Sequence, residues 1–124
     1  MELIHVSLVC RSIENADHFY GDCLGLEKTA TKTLPDDLSN ALFGIDEPLT
    51  ILNYKKNNAF FEIIIVEQEI PTSNGVNHTC IKVDDFDTFI KQIDSYGLGK
   101  IIATKGEKTI TFVADFDGNL FEIK

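Results

Sequence analysis

Two histidines and two glutamates are the residues of this 124-residue chain whose types and spacing could do chemistry together. His5 stands in the alternating run 2–10 and His78 opens a second one, 78–83. Glu62 and Glu122 each occupy the centre of a Phe-Glu-Ile triplet. Strand side chains point alternately to the two faces. His5 therefore lies opposite Ile4, Val6, Leu8 and Cys10, and Glu62 shares a face with Phe60, Ile64 and Val66 but not with Phe61, Ile63 and Ile65. His78 points with Cys80 and Lys82, and Glu122 with Leu120 and Lys124. If the more apolar face of each strand packs under helices, His5, Glu62, His78 and Glu122 all emerge on the other face. Two imidazoles and two carboxylates there suit one borderline divalent cation: Ni, Co, Zn, Mn or Fe(II). Taken singly, each has a plainer reading, since a strand histidine is usually a hydrogen-bonded bystander and a strand glutamate can face water. The set carries more weight than its members. Glu62 carries most, because an unpaired carboxylate among Phe60, Ile64 and Val66 would be costly.

The elements that must position these four residues follow from periodicity and punctuation. After the first strand, Ser12 offers an N-cap, Ile13, Ala16, Phe19, Tyr20, Cys23 and Leu24 recur at helical spacing, and Gly25 supplies a stop. A weak strand is expected over 26–33, a loop over 34–40, and strands over 42–45, 49–54 and 59–67, the last entered through Asn57-Asn58. Residues 68–77 read as a linker between a first module, 1–67, and a second, 78–124. In the second, Asp84 or Asp85 caps a helix carrying Phe86, Phe89, Ile90 and Ile93, which Gly97 ends. Strands are expected over 100–104 and 109–114, and a turn over 115–119 leads into the last strand. The chain thus reads strand, helix, about three strands, twice over. At an offset of 73, His5 matches His78, Leu8 matches Ile81 and Ile13 matches Phe86, and both halves close on Phe-Glu-Ile. The fold class is α+β with an internal repeat.

Composition narrows the partners. Twenty Asp and Glu against eleven Lys and Arg leave a formal charge of −9, and Arg11 is the one arginine. Such a surface repels phosphate backbones, so no nucleic-acid partner is expected. No apolar run approaches the ~18–20 residues of a membrane helix, and residues 1–10 lack the basic start of a signal peptide. Three cysteines, Cys10, Cys23 and Cys80, without a CxxC pair favour a reducing, cytoplasmic setting with free thiols. His18 falls on the solvent side of the first helix and is given no role.

The sequence resembles the vicinal oxygen chelate superfamily, which includes glyoxalase I, bleomycin-resistance proteins, fosfomycin-resistance enzymes and extradiol dioxygenases. The resemblance rests on His5 in IHVSLVC, on Phe19-Tyr20 with Leu24-Gly25-Leu26, on Glu62 in FFEI and on His78 in NHTCIKVDD. It also rests on the run from Asp115 to Glu122, similar to the family's D-P-D-G-N-x-x-E with Phe116 in place of the proline. It covers essentially the whole chain and implies two βαβββ modules set side by side into a cupped mixed sheet, within a single domain. It implies the ligand order His5, Glu62, His78, Glu122, which resembles glyoxalase I. It further implies a homodimer, sometimes with one module from each subunit building each site.

The activity so implied is that of a metal-dependent lyase or isomerase acting on a small-molecule substrate. A divalent ion binding neighbouring substrate oxygens stabilises an enediolate as the proton α to a carbonyl is removed. By that resemblance Glu122 is the main base and Glu62 its counterpart, one taking and one returning the proton. Ser7, Phe60, Ile64, Cys80 and Leu120 are the candidate substrate contacts beside the metal. Chains of this type that use glutathione usually carry Arg four residues after the first histidine; here Val9 stands there, which argues against glutathione. The alternative is a small-molecule binding protein of the bleomycin-resistance type, metal-free or metal-occupied.

Overall fold

A computed structural model describes residues 1–69 and 77–124, so the expected linker over 68–77 falls for the most part outside the described residues. The chain divides into two compact units, Met1–Ile70 and Pro71–Lys124. The first contains β1 (Val6–Cys10), α1 (Ile13–Ala16), β2 (Glu27–Leu34), α2 (Asp36–Phe43), β3 (Leu49–Lys56) and β4 (Ala59–Ile65). The second contains β5 (His78–Ile81), α3 (Phe86–Ser95), β6 (Lys100–Lys105), β7 (Lys108–Ala114) and β8 (Leu120–Ile123). Each unit builds a four-stranded mixed sheet, ordered β1-β4-β3-β2 and β5-β8-β7-β6, with its first strand parallel to its last. The βαβββ order therefore occurs in both halves. No helix among the described residues is long and apolar enough to cross a membrane.

Parallel pairing of β1 with β4 requires a crossover, and the helix after β1 provides it. The Ser12 hydroxyl accepts the Asn15 N–H at 3.1 Å and starts α1. The chain then widens into a π-helical segment, Asp17–Cys23, that ends with the Leu24 N–H on the Phe19 carbonyl. Its inner side buries Phe19, Tyr20 and Cys23. The Tyr20 ring lies 5.6 Å from Tyr54 and 5.7 Å from Phe61, on the face that also presents Leu52 and Ile63. Truncating a side chain as enclosed as Ile63 to alanine typically costs ~2–5 kcal/mol.

One expectation is corrected here. Residues 34–40 were expected as a loop and 42–45 as a strand, yet 36–43 form α2. Pro35 precedes the helix in an extended conformation, Asp36 and Asp37 place negative charge in its first turn, and Gly44 ends it at φ 69°. The second unit joins the corresponding strands by a tight turn through Gly106, at φ 63°. Beyond α2, Ile45 packs with Leu49, Ile64 and Val66, with Leu34 and Ile51 against them.

In the second unit Asp85 caps α3 by accepting the Thr88 N–H at 3.0 Å and its hydroxyl at 2.8 Å. The core is Phe89 and Ile93 with Val113, Phe121 and Ile123. Between β7 and β8, Asp115 Oδ1 accepts the Asp117 and Asn119 N–H groups and Oδ2 accepts the Asn119 amide. Gly118 supplies the left-handed residue, at φ 88°. This turn sets the register in which β8 enters the sheet.

The first unit is also tied through a buried phenol. Tyr54 donates to Asp17 Oδ1 at 2.6 Å, and Lys28 Nζ lies 2.7 Å from the same oxygen. Burial acts upward on Asp17, but the hydrogen bonds from Lys28 and Tyr54 outweigh it and hold the carboxyl below its ordinary value. Burial and then the bond to Asp17 push the Tyr54 hydroxyl well above its usual range, so it remains a donor. A carboxylate lowered on folding stabilises the protein above its unfolded pKa, and that contribution is lost as pH falls through the folded value. Tyr54→Phe should cost about 1 kcal/mol at pH 7 in urea denaturation. The stability gap between the wild type and Asp17→Asn should narrow between pH 7 and pH 3.

Candidate functional site

Register decides which side chains stand beside Glu62. Ser7 on β1, Glu62 on β4 and Asn53 on β3 form one row on the face opposite the helix. The Ser7 hydroxyl donates to Glu62 Oε1 at 3.0 Å. His5, just before β1, brings Nε2 to 3.9 Å from the same oxygen, and its ring meets the edge of Phe60 at 5.3 Å between centroids. Lys55, opposite Phe60 on β3, rests its amine over the Phe60 ring, 4.0 Å from the centroid. Asn53 is buried, and its Oδ1 finds no donor among the described residues.

The second unit repeats the pair. His78 Nε2 lies 3.7 Å from Glu122 Oε2, and its ring meets Phe112 at 5.0 Å and 66°, against 63° for His5 and Phe60. Cys80 takes the place of Ser7 opposite Glu122, and Phe112 that of Asn53. Lys124 Nζ approaches Glu122 Oε1 at 3.4 Å. Both histidine side chains are 39% exposed, and the glutamates 24% and 22%. The four residues are therefore reachable from solvent while their strands are packed.

Each histidine–glutamate separation exceeds a hydrogen bond. Imidazole nitrogen with carboxylate oxygen is a donor set that fits a borderline divalent cation. Each unit gathers two such groups; among the described residues no cluster of three or more His, Cys, Asp or Glu side chains is placed to hold a metal.

The remaining sequence candidates are placed as follows. Ser7 holds Glu62, Phe60 buttresses His5, and Leu120 is half-buried one row from Glu122. Ile64 is 7% exposed inside the cluster with Ile45, Leu49 and Val66, so it is closed off rather than standing open on the site face. Cys80 is an exposed free thiol. His18 lies 3.1 Å from Asp22 and 3.6 Å from Glu14 on the outer side of the helical segment, and Asp22 above all raises its pKa. Sequence reasoning missed Phe112, Lys55 and Asn53. Their signal was present in strand parity, but it becomes readable only once the antiparallel register is known.

The sequence profile of the Glyoxalase/Bleomycin resistance protein/Dioxygenase superfamily matches residues 2–123. Among solved structures, a glyoxalase family protein from Enterococcus faecalis superposes with a TM-score of 0.73 at 22% identity, covering 98% of this chain and 95% of that one. The fosfomycin resistance protein FosX from Listeria monocytogenes, complexed with Mn(II) and 1S,2S-dihydroxypropylphosphonic acid, gives 0.73 at 14% identity over 98% and 90%. The trypanothione-dependent glyoxalase I of Leishmania major gives 0.71 at 16% identity over 99% and 85%. No curated protein matches the chain.

The three thiols differ in what surrounds them. Burial, reinforced by the charge of Asp22, pushes the Cys23 thiol up to about 11, and Cys10 is enclosed. At pH 8, iodoacetamide should modify one thiol of the native protein, Cys80, and the other two only after denaturation. Mass spectrometry of the labelled peptides checks this, and Cys80→Ser should abolish the native reaction.

Proposed function

The chain belongs to the Glyoxalase/Bleomycin resistance protein/Dioxygenase superfamily, and from that premise we propose that it is a divalent-metal-dependent lyase or isomerase. It would move a proton α to a carbonyl on a small-molecule substrate. The observation that carries this reading is the repetition of one arrangement in both units: a histidine braced by a phenylalanine edge and set just beyond hydrogen-bond distance from a glutamate. His5, Glu62, His78 and Glu122 would hold the ion, with the two units coming from one chain or from two chains of a homodimer. A bound Ni, Co, Zn, Mn or Fe(II) ion supplies Lewis acidity toward neighbouring substrate oxygens. The Mn(II) in the FosX complex is in keeping with that choice.

The protein's own groups divide the remaining work. Neutral imidazoles are required at His5 and His78, and the ring edges of Phe60 and Phe112 restrict how those imidazoles can turn. Ser7 fixes Glu62 Oε1 with a neutral donor, whereas Glu122 Oε1 faces the flexible cation of Lys124. Glu122 is the group assigned to take the proton from the carbon next to the carbonyl onto a carboxylate oxygen. Glu62, entering protonated, is assigned to deliver its own proton at the adjacent carbon; exchange with solvent then removes the proton gained by Glu122 and restores the one lost by Glu62. Phe60 beside Glu62 and Leu120 beside Glu122 would be apolar contacts for the substrate.

Metal analysis of protein purified without chelator or histidine tag tests the first half of the reading. The expected result is near-stoichiometric metal that is lost in His5→Ala and in His78→Ala. Ser7→Ala should retain the ion with affinity reduced about tenfold. Metal-free protein that binds aromatic drugs with unchanged affinity in both histidine variants would favour the binding-protein reading instead. Glu122→Gln should keep the ion and lose at least about a hundredfold in α-proton exchange of a hydroxyketone in deuterated water, followed by proton NMR.

A further inference from the structure

Asn53 is a polar residue where the fold asks for none. It stands within β3, 5% exposed and opposite Glu62 of β4, and its Oδ1 accepts no hydrogen bond among the described residues. A carbonyl oxygen enclosed without a donor costs stability, and asparagine is itself disfavoured in strands. The second unit does without it: Phe112 is the corresponding residue, opposite Glu122 of β8. A local rule broken with no structural return points to function. We propose that the Asn53 carboxamide is a ligand-binding group. Its oxygen accepts a hydrogen bond from a hydroxyl or an amide N–H of the small molecule that occupies the Glu62 face. Every residue involved lies in the first unit, so the contact is independent of any ion and goes beyond the proton transfer proposed above.

The neighbours on that face leave the donor to come from outside. On one side Asn53 meets Ala30 of β2, just past the register shift at Thr29. Alanine has no polar side-chain atom to offer and little bulk to fill the space beside the carboxamide. On the other side stands Glu62, a carboxylate, which is an acceptor like Asn53 Oδ1 and takes the Ser7 hydroxyl on its own Oε1. Lys55, two residues along β3, extends its amine over the Phe60 ring instead. The Thr29 hydroxyl is directed to the Asn53 main-chain carbonyl, at 3.4 Å. Ser39 Oγ on α2 is the other enclosed orphan among the described residues, but it differs in kind. A helical serine can turn its hydroxyl toward the carbonyl four residues back, here that of Pro35. A carboxamide within a strand paired on both sides has no such local recourse.

The test uses two pairs of probes, 2-hydroxyacetophenone with 2-methoxyacetophenone and benzamide with N,N-dimethylbenzamide. Each pair keeps its aromatic ring and carbonyl and loses the donor by methylation. Titrations of the whole chain are followed by NMR with EDTA present, so that the result is read apart from any ion. The donor-bearing member of at least one pair should bind about fivefold more tightly than its methylated partner, and should move the Asn53 side-chain resonances as it does so. Asn53→Leu should erase that preference and leave the methylated probe's affinity unchanged. It should also raise the urea midpoint, because it removes the orphaned oxygen at similar volume. Equal affinity within both pairs, or a preference that survives in Asn53→Leu, overturns the proposal. Binding of no probe also overturns it and leaves a trapped water as the donor. A lower urea midpoint in a folded Asn53→Leu overturns it as well, by making the carboxamide a structural group. Should that variant not fold, the wild-type Asn53 resonances decide: they must move with the donor-bearing probe and not with the methylated one.

Discussion

A carboxylate in the middle of a strand of phenylalanines and isoleucines has only two directions available, and one of them is closed. Phe61 and Ile63 are taken by the helix-side core with Tyr20, Tyr54 and Leu52, so Glu62 must project to the other face. Most of the first unit follows from that alternation. The parallel partner β1 must then present Ser7 beside it, and His5 arrives two residues earlier on the same side. In the second unit the same constraint acts through Phe121 and Ile123, which are buried, and sends Glu122 outward beside Cys80. The candidate chemistry is thus a by-product of how two cores are packed, with no dedicated loop needed to hold it.

The two copies of this arrangement have diverged where the core does not dictate. A hydroxyl donor faces Glu62, and a thiol occupies the equivalent place opposite Glu122. A cation approaches Glu122, and a lysine near the first pair rests on a ring instead. The histidine buttress is supplied by β4 in one unit and by β7 in the other, at nearly the same distance and tilt. The same edge-on aromatic contact to an imidazole thus recurs from different strand positions.

Much of this was readable in the sequence, because two-residue alternation is a strong signal where one face is apolar. The βαβββ order, the Ser12 cap, the Phe-Glu-Ile echo and the face assignments of His5 and Glu62 all came from local pattern. What escaped had physical reasons. Pro35, Asp36, Asp37 and Asn40 each favour turns when read alone, but Pro before a helix and acids in its first turn are also a helix start, with Gly44 as its stop. The π-helical widening over Asp17–Cys23 leaves no trace in hydrophobic spacing, which fits either helix closely over so short a segment. Lys55 and Phe112 depended on cross-strand register, a long-range quantity that local pattern does not specify.

The closing turn from Asp115 to Asn119 carries an implication for how chain length can vary in descent. Its hydrogen bonds measure out the distance from β7 to the first residue of β8, and Glu122 sits two residues beyond that point. One codon inserted between Asn119 and Leu120 would exchange the outward and inward sets of the last strand, turning the carboxylate into the core and Phe121 to water. The connection between β2 and β3 is under no such count, since it already accommodates the eight-residue α2 where the other unit has a tight turn. Insertions and deletions should therefore accumulate before β3 and be purged after β7, an unequal clock within one duplicated design.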